Sequence, residues 1–219
     1  MTNPCPLVVL ISGNGSNLQA LIDRAATGFP FTLRAVISSQ PEAFGLTRAA
    51  QANIPARMVN PQHFPDRESY DQALWAAIDA YQPALVVLAG FMRILTPAFV
   101  QHYRGQLLNI HPSLLPKFRG LETHRRVLET GEAEHGATIH FVTEELDGGP
   151  LILQSRVPVF TGDNPQTLAA RVLIQEHRIY PLAVRWFAEG RLVLGEDERV
   201  WLDGLPLAGP VRVEGTGYE

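Results

Sequence analysis

A chain of 219 residues can bury one substantial core, and 46% hydrophobic against 18% charged residues excludes a disordered or low-complexity polypeptide. A net charge of −4 with a pI near 6.0 supplies no global basic field, which argues against nucleic acid as the main partner and favours a small-molecule ligand. A single cysteine, Cys5, excludes an internal disulfide. The N-terminal MTNPCPLVVLISG carries a short apolar run without a basic leader or small-residue cleavage site, and no transmembrane run follows, so the expected compartment is the cytoplasm.

The first strand is predicted at 7–11 (LVVLI), running into SGNGSNLQAL, a Gly-rich turn and a helix capped by Ser16 or Asn17. Free N–H groups at such a helix start, approached by Gly backbone, form an anion site. The third glycine of a dinucleotide fingerprint is replaced by Leu18, and the second strand (33–37, LRAVI) is followed by Ser38 and Ser39 rather than an acid, which disfavours NAD. The loop holds no lysine, which disfavours a nucleoside triphosphate. One phosphomonoester is the simplest ligand, and a capped turn without ligand is the alternative. Residues 66–81 form the best helix, with Asp66 as its cap and Tyr70, Leu74, Ile78 and Tyr81 as its apolar stripe. Arg67, taken alone, is a solvated first-turn residue.

A third strand is expected at 85–89 (LVVLA) and a fourth at 107–111 (LLNIH). Side chains alternate along a strand, so Asn109 and His111 point the same way. Pro112 and Pro116 place them where strand becomes loop, the position at which α/β proteins build sites; a hydrogen-bonded structural pair is the alternative. Runs at 137–142 and 151–160 read as a β pair separated by DGGP. Asp147 before two glycines reads as a turn acid, unless its loop closes over the strand ends and sets the carboxylate against His111. A long helix, 165–189, is opened by Asp163 and Pro165 and bent at Pro181. On it Glu176 and His177, with Arg171 and Arg178 near, read by themselves as surface pairs. RLVL-GEDE-RVWL forms a hairpin, and a Gly/Pro tail ends the chain. The alternation predicts an α/β fold, a doubly wound and mostly parallel sheet with helices on both faces and a C-terminal β-hairpin. The seven histidines lack zinc-binding spacing and Glu144, Glu145 and Asp147 are too few for a metal site, so no metal is expected.

Four stretches in order, VVLISGNGSNLQALI, VVLAGFMRIL, LLNIHPSLLPKF and HGATIHFVTEELDGGPLILQ, make the chain resemble the phosphoribosylglycinamide formyltransferases, folate-dependent enzymes of purine synthesis. The resemblance runs from Leu7 to the hairpin near Leu202. The Asn-x-His-Pro-Ser-Leu-Leu-Pro block and the later Asp are shared among formyl-folate-using transferases and hydrolases, and Gly-Asn-Gly-Ser-Asn narrows the likeness to the glycinamide ribonucleotide enzymes. It implies one formyltransferase domain over 1–219, with a phosphate-binding half of about 1–105 and a folate and catalytic half of about 106–219.

By the same resemblance, Gly15, Ser16 and Asn17 bind the substrate phosphate, and Leu173, Ile174, Gln175 and Glu176 meet its glycinamide end. Arg67, Met92, Arg93, Ile94 and Leu95 hold 10-formyltetrahydrofolate, which Thr143, Glu144, Glu145, Leu146 and Asp147 wrap, with Asn109 beside it. Asn109, His111 and Asp147 form the catalytic trio of a direct attack by the glycinamide amine on the formyl carbon, through a tetrahedral intermediate. The implied partners are small molecules, without nucleic acid or membrane, and the implied state is a monomer or weak homodimer. The chain departs from the expected pattern at Arg119 and Glu122, where close bacterial relatives are expected to carry Pro and His, so substrate contacts of that loop are not carried over. A formyl-folate hydrolase, a methionyl-tRNA formyltransferase and a silent nucleotide-binding module are the competing readings. The hydrolase expects an added N-terminal module and the tRNA enzyme a basic C-terminal domain.

Overall fold

The computed structural model describes residues 3–213. The chain divides into two compact units, Met1–Asn109 and Ile110–Glu219. In the first, strands and helices alternate: β1 (Cys5–Ile11), α1 (Ser16–Ala26), β2 (Phe31–Ser38), α2 (Phe44–Gln51), β3 (Ala56–Met58), a 3-10 turn at Pro61–His63, α3 (Arg67–Asp79), β4 (Leu85–Leu88), α4 (Pro97–His102) and the start of β5 (Leu107–His111), whose last two residues belong to the second. β1 pairs parallel with both β2 and β4, Val9 standing opposite Val36 and Val87. β3 extends β2 and β5 extends β4, also in parallel. Leu7 to Ile11 and all of β4 are buried, as expected of parallel strands whose two faces are both covered.

The second unit continues with α5 (Thr123–Thr130), β6 (Glu134–Phe141), β7 (Leu151–Pro158), α6 (Pro165–Ala188), β8 (Leu192–Leu194), β9 (Val200–Leu202), β10 (Leu205–Pro206) and β11 (Val211–Val213). β6 and β7 are antiparallel, with Ala137 opposite Ser155, and β11 runs parallel to β7. α6 packs on this pair, and its Leu168, Val172, Ile179 and Tyr180 are buried. Strand order is β5-β4-β1-β2-β3 in the first unit and β11-β7-β6 in the second, where β8, β9 and β10 form a separate antiparallel sheet. The mostly parallel α/β architecture and the C-terminal hairpin are therefore present, the hairpin enlarged by a third strand.

Local details differ from expectation. α1 is capped by Gly15 in the left-handed conformation (φ 74°), without a side-chain cap from Ser16 or Asn17. Asn164, not Asp163, caps α6, accepting from Gln166 and Thr167 N–H while the Thr167 hydroxyl closes a capping box. Asp163 instead takes a bidentate grip from Arg171 at 2.7 and 2.8 Å. Asp66 does cap α3, accepting from Ser69 N–H at 2.8 Å, but Tyr81 lies beyond that helix's end and is half-buried. The expected tail contains β10 and β11. Pro181 sits buried inside an uninterrupted α6.

Candidate active site

β5 ends on His111, which is 6% exposed, and Asn109 stands two residues earlier on the same strand, so alternation aims both side chains to one side of it. The His111 ring is held at both nitrogens. Nε2 lies 2.9 Å from the Phe118 carbonyl, an oxygen that only accepts, so Nε2 carries a proton. That leaves Nδ1 facing Asp147 Oδ2 at 3.4 Å. The separation is long for a charge-assisted hydrogen bond.

Asp147 is both a turn acid and a partner of His111. Its φ of 48° is left-handed, a conformation that Asp and Asn tolerate better than most residues. Its Oδ2 also accepts from Gly120 N–H at 2.9 Å, and its Oδ1 lies 3.8 Å from His140 Nε2. His140 donates from Nδ1 to the Phe141 carbonyl at 2.8 Å, and burial holds its pKa below the ordinary histidine value. The loop reaches this position because Gly149 passes directly against β6: a Cβ there would stand 1.9 Å from the Phe141 carbonyl oxygen.

In the first unit, the Gly-rich turn is built by backbone contact. A Cβ on Gly15 would come within 2.7 Å of the Gly45 Cα, and Gly45 N–H donates to the Gly13 carbonyl at 3.1 Å. Arg48 ties the turn from α2, donating to the Asn14 carbonyl at 2.9 Å and its side-chain oxygen at 3.0 Å. Gly15 and Asn17 are buried and Ser16 is half-buried at the start of α1. A helix start on a glycine turn, with no side-chain cap, is a suitable seat for one phosphate.

Arg67 and Arg93 are exposed and both oppose the charge of Asp71, a residue 1% exposed that accepts from Thr96 N–H at 2.6 Å. Burial, outweighing these favourable contacts, raises the Asp71 carboxyl above the usual range. Arg93 also lies over the Tyr70 ring. The Met92 N–H donates to Ser12 Oγ at 2.9 Å, fixing the segment that carries Met92, Ile94 and Leu95. Met92 and Ile94 expose 67% and 59% of their surface, while Leu95 turns inward.

In the second unit Leu146 is 53% exposed beside exposed Glu144 and Glu145 and half-buried Thr143. Arg119 forms an ion pair with Glu145. On α6, Glu176 and Gln175 are each 8% exposed, which corrects the reading of Glu176 as a solvated surface residue. Gln175 Oε1 accepts from Ser155 Oγ at 3.1 Å and Arg178 at 3.2 Å, whereas Leu173 is half-buried and Ile174 exposed. The Phe118 carbonyl, the Gly120 N–H and His140 are site groups that sequence reasoning did not identify. The first two are backbone atoms without a residue signature, while His140, inside an apolar strand, carried a usable one.

Known proteins supply the context for this geometry. The formyl transferase family model matches residues 6–184. The chain is 60% identical over 199 residues to phosphoribosylglycinamide formyltransferase of Escherichia coli K12, covering 90% of this chain and 93% of that one. The chain belongs to the phosphoribosylglycinamide formyltransferase family.

As a member of that family it is a formyltransferase, an enzyme of small-molecule substrates using a folate-derived formyl donor. The structure of the phosphoribosylglycinamide formyltransferase from Coxiella burnetii superimposes with a TM-score of 0.91 at 51% identity, over 95% of this chain and 99% of that one. The human trifunctional purine biosynthetic protein adenosine-3 is 45% identical over 197 residues, which are 89% of this chain but 19% of that protein. Among the described residues, no helix is long and apolar enough to cross a membrane, and no group of three His, Cys, Asp or Glu residues is placed to hold a metal.

Proposed function

We propose that this formyltransferase moves the formyl group of 10-formyltetrahydrofolate to the amine of 5-phosphoribosylglycinamide, a step of de novo purine synthesis, with Asn109, His111 and Asp147 as its catalytic residues. The observation that carries the reading is the buried His111, its proton fixed on Nε2 by Phe118 and its Nδ1 directed at Asp147. The donor supplies an electrophilic formyl carbon. As the amine attacks, negative charge grows on the formyl oxygen, and donors fixed beforehand stabilise it without reorganisation. The Asn109 amide and, with His111 protonated on both ring nitrogens, the proton on Nδ1 serve as those donors. The Asp147 carboxylate supports that proton and passes the amine's proton, through water, toward the departing folate nitrogen.

Gly15, Ser16 and Asn17 hold the ribonucleotide phosphate, and Leu173 to Glu176 meet the glycinamide end. Exposed Met92, Ile94 and Leu146 offer apolar surface to the pterin and benzoyl rings, while Arg67 and Arg93 supply cations for the glutamate tail. Leu95, Thr143, Glu144 and Glu145 complete the folate contacts. The reading extends to one functional domain over 1–219, with a phosphate-binding half of about 1–105 and a folate and catalytic half of about 106–219. It also includes cytoplasmic location, no metal, and a monomer or weak homodimer as the working form.

The test is an absorbance assay of folate product with each substrate alone and together. Turnover only when both are present supports the transferase. Donor consumption without the ribonucleotide indicates a hydrolase and overturns the reading.

A further inference from the structure

The segment Phe118–Leu121 touches the proposed catalytic pair through its backbone. The Phe118 carbonyl accepts from His111 Nε2 at 2.9 Å and the Gly120 N–H donates to Asp147 Oδ2 at 2.9 Å. One short loop therefore sets both the orientation of the imidazole and the direction of the carboxylate. It does so from an unfavourable conformation, since Phe118 (φ 57°) and the adjoining Glu122 (φ 56°) are left-handed without being glycine. Non-glycine residues in that region cost free energy and persist only where the surroundings hold them.

Here the holding group is Arg126, half-buried on the first turns of α5. Its guanidinium donates to the Arg119 carbonyl at 2.6 Å and the Leu121 carbonyl at 3.2 Å. It also lies 5.5 Å from the centre of the Phe118 ring. One nitrogen, Nη1, makes both bonds while the guanidinium plane lies over the ring, a combination that the compact, strongly hydrated ammonium of lysine reproduces only in part.

We infer that Arg126 is a positioning residue for the formyl transfer: it clamps the loop whose Phe118 carbonyl and Gly120 N–H orient His111 and Asp147. This rests on the proposed roles of those two residues. Arg126 touches neither of them, so its loss displaces groups that act on the transition state and leaves the ligand-holding segments in place. A displacement of about an ångström at reacting groups can cost on the order of a hundredfold in rate.

The experiment compares wild type, Arg126→Met and Arg126→Lys. Met keeps an apolar stem against Phe118 and removes every donor; Lys restores one point donor. For Arg126→Met the expected result is a kcat lower by about ten- to a hundredfold, both KM values within about twofold of wild type, and an altered pH profile of kcat. Thermal unfolding is expected to stay near wild type, and Arg126→Lys to recover part of the loss. A kcat within twofold of wild type, or a loss that follows the unfolding temperature across both variants, overturns the inference.

The ring 15N signals of His111, assigned by comparison with His111→Gln, separate this inference from the reaction itself. In Arg126→Met the Nε2 signal should move and broaden as the Phe118 acceptor loosens, and an unchanged signal overturns the clamp. That outcome is read equally well if wild type proves inactive toward phosphoribosylglycinamide, which would refute the proposed reaction alone.

Discussion

Replacing Asp147 by Asn isolates the charge of the carboxylate from its shape. Asn tolerates the left-handed backbone at 147. Its amide oxygen can keep the Gly120 N–H bond now accepted at 2.9 Å, and its amide nitrogen would then turn toward His140 Nε2, at present 3.8 Å from Oδ1. Little folding free energy should change, and the chief loss is the negative charge opposite His111 Nδ1. For unit charges at the observed 3.4 Å and an effective dielectric of about 20, that interaction is worth about 5 kcal/mol. With partial charge transfer in the transition state, turnover should fall by about 10²–10⁴, corresponding to about 3–5 kcal/mol. The assay is saturating turnover against pH for wild type and variant, with binding of each substrate and urea unfolding measured separately. Turnover within a few-fold of wild type and an unmoved pH profile, in a folded variant that binds both substrates, would remove the carboxylate from the chemistry.

Asn109→Ala should lower kcat by about 10²–10³, the scale of one lost oxyanion donor, in steady-state assays at saturating substrates. Ser16→Ala should raise KM for the ribonucleotide and leave folate binding nearly unchanged, since a hydrogen bond to a charged phosphate contributes about 1.5–3 kcal/mol; equal losses for both ligands would refute the assignment. Gly149→Ala should lower urea-unfolding stability by about 1–3 kcal/mol or more, because its Cβ would meet the Phe141 carbonyl oxygen. His135, fully buried, has its pKa lowered to about 4, first by desolvation and then by His124 and His111. It remains neutral in the folded chain while an unfolded histidine protonates below about pH 6.5, so stability should fall as pH drops from there toward about 4, by up to about 3 kcal/mol. Unfolding titrations across that range should show a shallower decline for His135→Gln.

Elements whose apolar pattern is dictated locally were legible in the sequence. β5 begins and ends where LLNIH does, and Asp66 caps α3 as its spacing requires. β3 and β11, edge strands of three residues each, carry too short a pattern to register. In the site, the Asn109–His111 pair was legible because strand alternation is local, but the approach of Asp147 to His111 depends on how a distant Gly-Gly turn packs on β6. Glu176 shows a signal that could have been weighed more heavily. Leu168, Val172, Ile179 and Ala183 form the buried stripe of α6, and helical spacing carries that stripe through position 176. A carboxylate on an apolar stripe is an anomaly in its own right.

The mutual contact of Gly15 and Gly45 bears on any attempt to make this chain more robust by design. Rules based on local preference would replace Gly15 with Ser, Asp or Asn as a helix cap and Gly45 with Ala inside α2, expecting about a kcal/mol from each. Both substitutions run into neighbours: a Cβ at 15 meets the Gly45 Cα at 2.7 Å, and one at 45 meets the Ile11 Cδ1. At 15 the left-handed backbone adds to the cost. An acidic cap would also set a fixed negative charge at the helix start proposed to receive a phosphate. Thermostabilised variants of this protein should therefore be sought on exposed helix faces, with both glycines held constant.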